Sequence, residues 1–243
     1  MLKVEKIDFL SKDLKIIQLE NHYSVSTDSF LLAYFSKVVK KSNKKILDMC
    51  AGSGVVSLLL SRKTNSEIYT LEIQEELNDL IKKNIQINKI SNITPLCGDL
   101  RNIKNIFNPS TFDNIVCNPP YFTMSSMPKI RKKENHDISR HEILCNIDDV
   151  LKSIKYLLKQ NGSFFLVHRT YRMIEIIEKC RKYKISIKRI RFVYSKKESE
   201  NSKIILLEGN ISNSKDVKID KPLYIYNDNG TYTEEMKRVY DIV

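Results

Sequence analysis

No apolar run in this chain approaches the roughly 20 residues that span a bilayer, so no membrane-spanning helix is predicted. The opening "MLKVEKIDFLSKDLKIIQLE" alternates charge with single apolar residues. A signal peptide needs a continuous apolar segment, and none is there. No CxxC pair occurs, and the five cysteines are odd in number and widely spaced. Cys50, Cys97 and Cys117 end apolar runs, where a thiol behaves as a small hydrophobe. All five are therefore expected as reduced residues of a cytoplasmic protein, with no disulfide. The four histidines show no metal-ligand spacing, so no metal is expected. Internal repeats and long linkers are missing too.

What is present points to a folded α/β protein. Hydrophobic residues make up 42% and charged residues 29% of the 243, enough apolar content for a core and too little charge for disorder. Forty-one basic against 29 acidic residues give a net charge of +12, which favours a polyanionic partner such as nucleic acid. The many Ile, Asn and Lys residues equally suit a lysine-rich proteome, so charge alone does not decide.

From Lys44 onward, short β-branched runs alternate with amphipathic ones. Seven strands are predicted: "KKILDM", "EIYTLE", "NITPLCGD", "TFDNIVCN", "GSFFLVH", "ISIKRIRFVY" and "SKIILLEG". Helices are predicted over "GVVSLLLSRK", "IQEELNDLIKKNIQINK", residues 141–159 and "YRMIEIIEKCRK". In the second, Ile73, Leu77, Leu80, Ile81, Asn84 and Ile85 recur at helical spacing. Strand–helix alternation predicts a Rossmann-like, mostly parallel seven-stranded sheet with helices on both faces. The last two strands lack an intervening helix, so an antiparallel hairpin is expected at its edge. Residues 1–43 break the alternation. They are expected to form a hairpin and a helix, "TDSFLLAYF", packed on a domain spanning 44–243. In the tail, Asn229-Gly230 reads as a turn and Thr233 as a cap before a final helix.

The loop "ILDMCAGSG" carries Asp48, Gly52 and Gly54 between a strand and a helix. That context suits a nucleoside cofactor at a strand C-terminus. The third glycine of the dinucleotide fingerprint is replaced by Ser57, and there is no P-loop lysine, so phosphate cradling is not supported. Glu72 ends the next strand, 24 residues on (72 − 48), where a carboxylate can accept both hydroxyls of a ribose. Asp99 ends the third strand. It is placed to accept from an adenine amine while the Leu100 backbone reads the ring edge. Each acid alone could merely cap the helix that follows; three on one sheet edge argue for a pocket.

The fourth strand ends in Asn118-Pro119-Pro120-Tyr121. Two prolines remove two backbone donors and stiffen the chain. A planar nitrogen that attacks a methyl donor must first free a delocalised lone pair. The Asn118 side-chain oxygen and the Pro119 carbonyl, held rigidly, can take its two N–H bonds. Tyr121 offers a flat face for a base, worth about 1–3 kcal/mol. A simple polar turn would also fit these residues, but not their place beside the pocket.

The glycine loop and its acids resemble the class I S-adenosylmethionine-dependent methyltransferases over residues 44 to about 210, and the corner resembles their [DNS]-P-P-[YFW] signature. The resemblance implies S-adenosyl-L-methionine held by Asp48, Gly52, Gly54, Glu72, Asp99, Leu100 and Asn118. It implies catalysis by Asn118, Pro119 and Tyr121. The motif itself does not separate adenine, cytosine and glutamine nitrogens. "NHYSVSTDSFLLAYF", "NPPYF", "SRHE", "VHRTYRM" and "IYNDNGTYTEEMKRVY" together resemble the bacterial tRNA1(Val) (adenine-37 N6)-methyltransferase family. That likeness places Thr27 and Asp28 near the cofactor, with a helix cap as the plainer role. It implies tRNA as partner, a monomer or weak homodimer, and methylation at N6 of an anticodon-loop adenine. An rRNA or a protein glutamine remains the alternative substrate. Glutamine enzymes usually carry a helical domain before the glycine loop, and only 47 residues precede Asp48 here. Basic stretches at 128–142 and 182–197 suit a phosphate backbone; for the second, a solvated charged face is as natural. Substrate contacts are expected from Tyr121, Phe122, Lys129, Arg131, Lys132, Lys133, His168 and Arg169. Arg140, His141 and Glu142 fit a helix start behind the corner.

Overall fold

A computed structural model describes residues 5–19, 25–38, 43–121, 145–212 and 214–241 of the chain. It opens with an antiparallel hairpin, β1 (Glu5–Ser11) and β2 (Leu14–Leu19), then a helix, α1 (Thr27–Phe35), with the bounds its sequence predicts. Then come β3 (Lys45–Met49), α2 (Val55–Ser61), β4 (Glu67–Glu72), α3 (Glu75–Ile87) and β5 (Ile93–Cys97). A 3-10 turn at Leu100–Asn105 precedes β6 (Phe112–Cys117). After it stand α4 (Ile147–Leu157), β7 (Leu158–Arg169), a 3-10 turn at Thr170–Arg172, and α5 (Met173–Lys182). The chain closes with β8 (Ser186–Tyr194), β9 (Ile204–Asn210), β10 (Lys218–Ile219), β11 (Leu223–Tyr224) and α6 (Glu234–Tyr240).

The main sheet runs β10-β8-β9-β7-β6-β3-β4-β5, with β11 also on β8. Neighbours are parallel except β9, which pairs antiparallel with both β7 and β8. The mostly parallel α/β sheet is thus as expected, and β8–β9 form the antiparallel pair. That hairpin is not the sheet's edge, however, because β10 and β11 cover β8. A bare edge leaves unpaired N–H and C=O groups. The tail supplies partners in two short pieces, since Pro222 between them has no N–H to give. At the opposite edge, β5 tolerates Pro95 because an edge strand has a neighbour on one side only, and its last residue, Cys97, is exposed rather than in the core. All five cysteines are free thiols.

Central strands are buried on both faces, as a parallel sheet with helices on each side requires. Ile46, Val116, Phe165, Val167 and Leu206 join α1, α2 and α6 in one cluster. Leu47, Met49, Ile115, Leu166 and Leu207 join α4 and α5 in the other. Helix α4 starts at Ile147, later than periodicity alone predicts. Asn146 and Asp149 form a reciprocal capping box there, with the Asn146 side chain accepting from Asp149 N at 3.1 Å. The predicted 141–144 portion lies outside the described residues, with Arg140, His141 and Glu142. Thr233 caps α6, accepting from Met236 N at 3.1 Å.

Candidate active site

Strands β6, β3, β4 and β5 lie side by side and parallel, so their C-terminal ends share one edge. The loop after β3 turns on Gly52 (φ +58°) and Gly54 (φ +86°), left-handed conformations that favour glycine. A Cβ at Gly52 would meet nothing within 4 Å, whereas one at Gly54 would lie 3.2 Å from Ile81 Cγ1. Gly52 therefore borders open space, and Gly54 marks a close approach of loop to α3.

Asp48 lies beneath this loop. Its Oδ2 accepts from Ser57 N at 3.0 Å and Ser57 Oγ at 2.7 Å, tying β3 to α2. The serine in the third-glycine position thus gains a structural use. Burial pushes the Asp48 carboxyl up to about 7, against the lowering effect of Ser57. Glu72, also buried, accepts from Gly52 N at 2.8 Å and from Gln74 N at 3.0 Å, and burial raises its pKa. It braces the glycine turn from the next strand. Asp99 caps the 3-10 turn and is gripped by Arg101: Oδ1 accepts from Arg101 N at 2.8 Å and Oδ2 from Nη2 at 2.6 Å. Despite partial burial, those bonds hold the Asp99 carboxyl below its ordinary value. Leu100 is buried beside it, and its carbonyl accepts from Ser153 Oγ at 3.0 Å.

At the end of β6, the Asn118 amide is held at both ends. Its Oδ1 accepts from the Tyr121 hydroxyl at 2.5 Å, and its Nδ2 donates to Ser29 Oγ of α1 at 3.4 Å. Pro119 is buried and Pro120 exposed. The Arg169 guanidinium lies 4.5 Å from the Tyr121 ring centroid, and His168 meets that ring edge-on at 5.1 Å. Arg169 also pairs with the buried Asp28 of α1 at 3.4 Å. Burial first, then the Asp28 carboxylate, raise the Tyr121 phenol well above its ordinary range, so it stays a donor. His168 Nδ1 accepts from Arg169 N at 2.8 Å, which leaves Nε2 to carry the proton. Burial, then Arg172, lower His168 to about 4 and keep it neutral.

Most predicted residues thus gather on one sheet edge. Asn118, Tyr121, His168 and Arg169 form one contact group; Gly52 is hydrogen-bonded to Glu72, and Asp48 bonds instead to Ser57. Thr27 does not cap α1; its Oγ1 lies 3.1 Å from the Tyr240 hydroxyl, while Ser26 is the cap position. Phe122, Lys129, Arg131, Lys132 and Lys133 lie outside the described residues. In the 182–197 stretch two arginines turn inward. Arg189 is buried against Glu208, Asp220 and the Phe35 carbonyl, and Arg191 pairs with Glu235. Sequence reasoning missed Ser29, Ser57 and Arg172, whose Nη1 donates to the Tyr121 carbonyl at 3.4 Å. Arg172 was visible only as part of the "VHRTYRM" segment. Among the described residues no cluster of three His, Cys, Asp or Glu could hold a metal ion, and no helix could cross a membrane.

The family described as "TRM5/TYW2 methyltransferase domain" matches residues 33–162. A tRNA1(Val) (adenine(37)-N6)-methyltransferase of Bacteroides fragilis is 33% identical over 145 residues, 59% of each chain. The chain therefore aligns with a little under two thirds of that relative's length. The enzyme of the same description from Photobacterium profundum is 26% identical over 216 residues, 87% of each. Among solved structures, a predicted O-methyltransferase from Agrobacterium tumefaciens superposes with a TM-score of 0.70 at 16% identity, covering 89% of this chain and 96% of its own. The M. jannaschii tRNA m1G37 methyltransferase gives 0.58 at 17%, covering 88% and 59%. At such identities these two speak for the fold alone.

Proposed function

The chain belongs to the TRM5/TYW2 methyltransferase domain family, and on that premise we propose that it methylates N6 of adenine 37 in a tRNA, using S-adenosyl-L-methionine. The observation that carries this reading is the Asn118–Tyr121 corner, whose amide oxygen is fixed at the end of β6 beside the glycine turn. The substrate follows the name borne by the Bacteroides and Photobacterium relatives. Residues 1–43 serve as an extension and 44–243 as the methyltransferase domain; the separate two-stranded β1–β2 sheet supports that division.

The residues fit the cofactor. Open space beside Gly52 leaves room for close approach, and buried Glu72 places acceptor oxygens beside it. Gly52, Gly54, Glu72, Asp99 and the Leu100 backbone would hold it, with Asp48 fixing the loop from below. We also assign Thr27 to the cofactor, on the strength of its place next to Asp28 in the chain. When bound, S-adenosylmethionine supplies an electrophilic methyl group and a neutral leaving group.

The chain's own part is to prepare the nitrogen. Asn118 Oδ1 and the Pro119 carbonyl accept the two N–H bonds of the amine and free its lone pair. The arriving amine displaces the Tyr121 hydroxyl from Oδ1, and Asp28 gives that hydroxyl a second acceptor. The adenine leaves its own stack to reach Tyr121. Arg169 backs the ring and neutral His168 seals its edge. Phe122 and the basic residues Lys129, Arg131, Lys132 and Lys133 are assigned to the RNA.

The test is transfer of labelled methyl from S-adenosylmethionine to bulk tRNA, with nucleoside mass spectrometry of the product. Label in N6-methyladenosine is expected; label in rRNA or in a protein glutamine instead overturns the substrate. Asn118→Ala should lose transfer at least about 100-fold, on the scale of a lost transition-state contact, while calorimetry shows cofactor affinity nearly unchanged. Wild-type turnover in that variant would refute the mechanism.

A further inference from the structure

Resting on that reading, we infer that the exposed ring of Tyr171 is a stacking platform for the RNA base next to the target adenine. The ring stands where β7 gives way to α5. It is 69% exposed, the most of any large hydrophobic side chain among the described residues, and Ile174 is 62% exposed. The 3-10 turn that carries Tyr171 runs directly into α5, so residues three apart share one side of the run. Apolar residues exposed singly need no explanation; this is a pair. The other exposed tyrosine among the described residues, Tyr232, is stacked on Tyr226 at 5.2 Å. Tyr171 has no ring contact and no hydrogen bond from its hydroxyl among the described residues, so the fold makes no use of the ring.

Its neighbours tie it to the reaction. β7 runs parallel to β6, so both end on the same sheet edge as the Asn118–Tyr121 corner. Arg169 lies over the Tyr121 ring, and Arg172 Nη1 donates to the Tyr121 carbonyl at 3.4 Å. Two peptide units keep the Cα atoms of Arg169 and Tyr171 within about 7.6 Å. A strand whose adenine rests on Tyr121 therefore brings a neighbouring nucleotide to Tyr171. The charge suits that occupant. No acid occurs from His168 to Ile174, and Glu175 is taken by Arg172 and Lys179. Thr170 N donates to Lys203 O at 3.2 Å, which sets Lys203 beside the turn. Lys203 is exposed and has no ion pair among the described residues. A free aromatic face with a free cation next to it is what a single strand needs: the ring takes a base and the cation a phosphate.

The experiment uses the absence of tryptophan from the chain. Tyr171→Trp keeps a flat face and adds a sole fluorophore. Its emission should be quenched by a synthetic anticodon stem-loop of the tRNA1(Val) that the relatives' name gives. The quench should be lost when one neighbour of the target adenine is made abasic, and kept when the other is. In turnover, Tyr171→Ala should raise KM for tRNA about tenfold, the scale of one lost base stack. Its kcat and its KM for S-adenosylmethionine should stay within about twofold, the mark of binding shared by ground and transition states. Tyr171→Phe should restore KM, because a phenyl face also stacks. Lys203→Ala should lower the salt slope of tRNA binding by about one, and Tyr171→Ala should leave that slope alone. Bound RNA without quenching, quenching indifferent to both abasic sites, or wild-type KM in Tyr171→Ala overturns the inference. Site-dependent quenching in a protein that methylates no tRNA overturns the proposed function and leaves the platform standing. Label in a protein glutamine with no RNA bound overturns both.

Discussion

Two glycines two residues apart in the chain, Gly52 and Gly54, do different work, and their surroundings say which. Both adopt left-handed backbone, so any side chain there costs roughly 1–2 kcal/mol. At Gly54 the added Cβ also meets Ile81 at 3.2 Å, and Ile81 is a buried residue of α3. At Gly52 the Cβ enters open space. Gly54→Ala should therefore lose more stability than Gly52→Ala, about 2 against about 1 kcal/mol in urea unfolding. The order should reverse for the cofactor. In calorimetry, Gly52→Ala should weaken S-adenosylmethionine binding more, because its methyl fills the space beside Glu72. Equal stability losses would mean that Ile81 moves aside freely.

At the scale of elements, the N-terminal hairpin is fastened by two asparagines, Asn84 of α3 and Asn88 at its C-terminal cap. Asn84 Oδ1 accepts from Ile17 N at 2.6 Å, and its Nδ2 donates to Ser53 O in the glycine loop at 3.0 Å. One turn on, Asn88 exchanges the same kind of bonds with Lys15 N and O, both at 2.8 Å. Residues four apart share a helix face, and Lys15 and Ile17 share a strand edge, so α3 imitates a third strand beside β2. Asn84 is fully buried. Asn84→Ala should cost about 3 kcal/mol, since it strands two buried backbone groups. Hydrogen exchange at Ile17 should rise with it; unchanged protection would show that apolar packing alone holds the hairpin. Asn84 was legible only as a member of a helical stripe, because its partners Ile17 and Ser53 lie 67 and 31 residues away in sequence. The same limit explains the rest. Strands, helices and the corner were readable because period, turn and cap are local signals, and α1 was placed to the residue. The cover of β10 and β11 over β8, the inward turn of Arg189 and Arg191, and the grip of Ser29 on Asn118 depend on contacts across the fold. No local pattern announces them.

For the whole molecule, two buried groups at the site set opposite dependences of stability on pH. Asp48 has its pKa raised from 3.8 to about 7 by burial. Its contribution is complete below the unfolded value and is lost as pH rises through about 7. His168 is lowered from 6.5 to about 4, again chiefly by burial. Its contribution is complete above 6.5 and is lost as pH falls through about 4. Between these limits each group contributes a slope of up to about 1.4 kcal/mol per pH unit, with opposite sign. The two nearly cancel, with Glu72, also raised, adding to the side of Asp48. Carboxylates held low by cations, such as Asp99, Asp113 and Asp148, matter only in more acidic solution. Asp48→Asn removes one side of the balance and leaves Ser57 an amide oxygen to donate to. Its stability relative to wild type, read from urea midpoints, should therefore improve steadily from pH 4 to 7 and level off above. Against pH alone, the variant should weaken toward acid more steeply than the wild type, because His168 is then unopposed. Parallel profiles for the two proteins would mean that the Asp48 carboxyl titrates alike folded and unfolded, with the Ser57 hydrogen bonds offsetting the effect of burial.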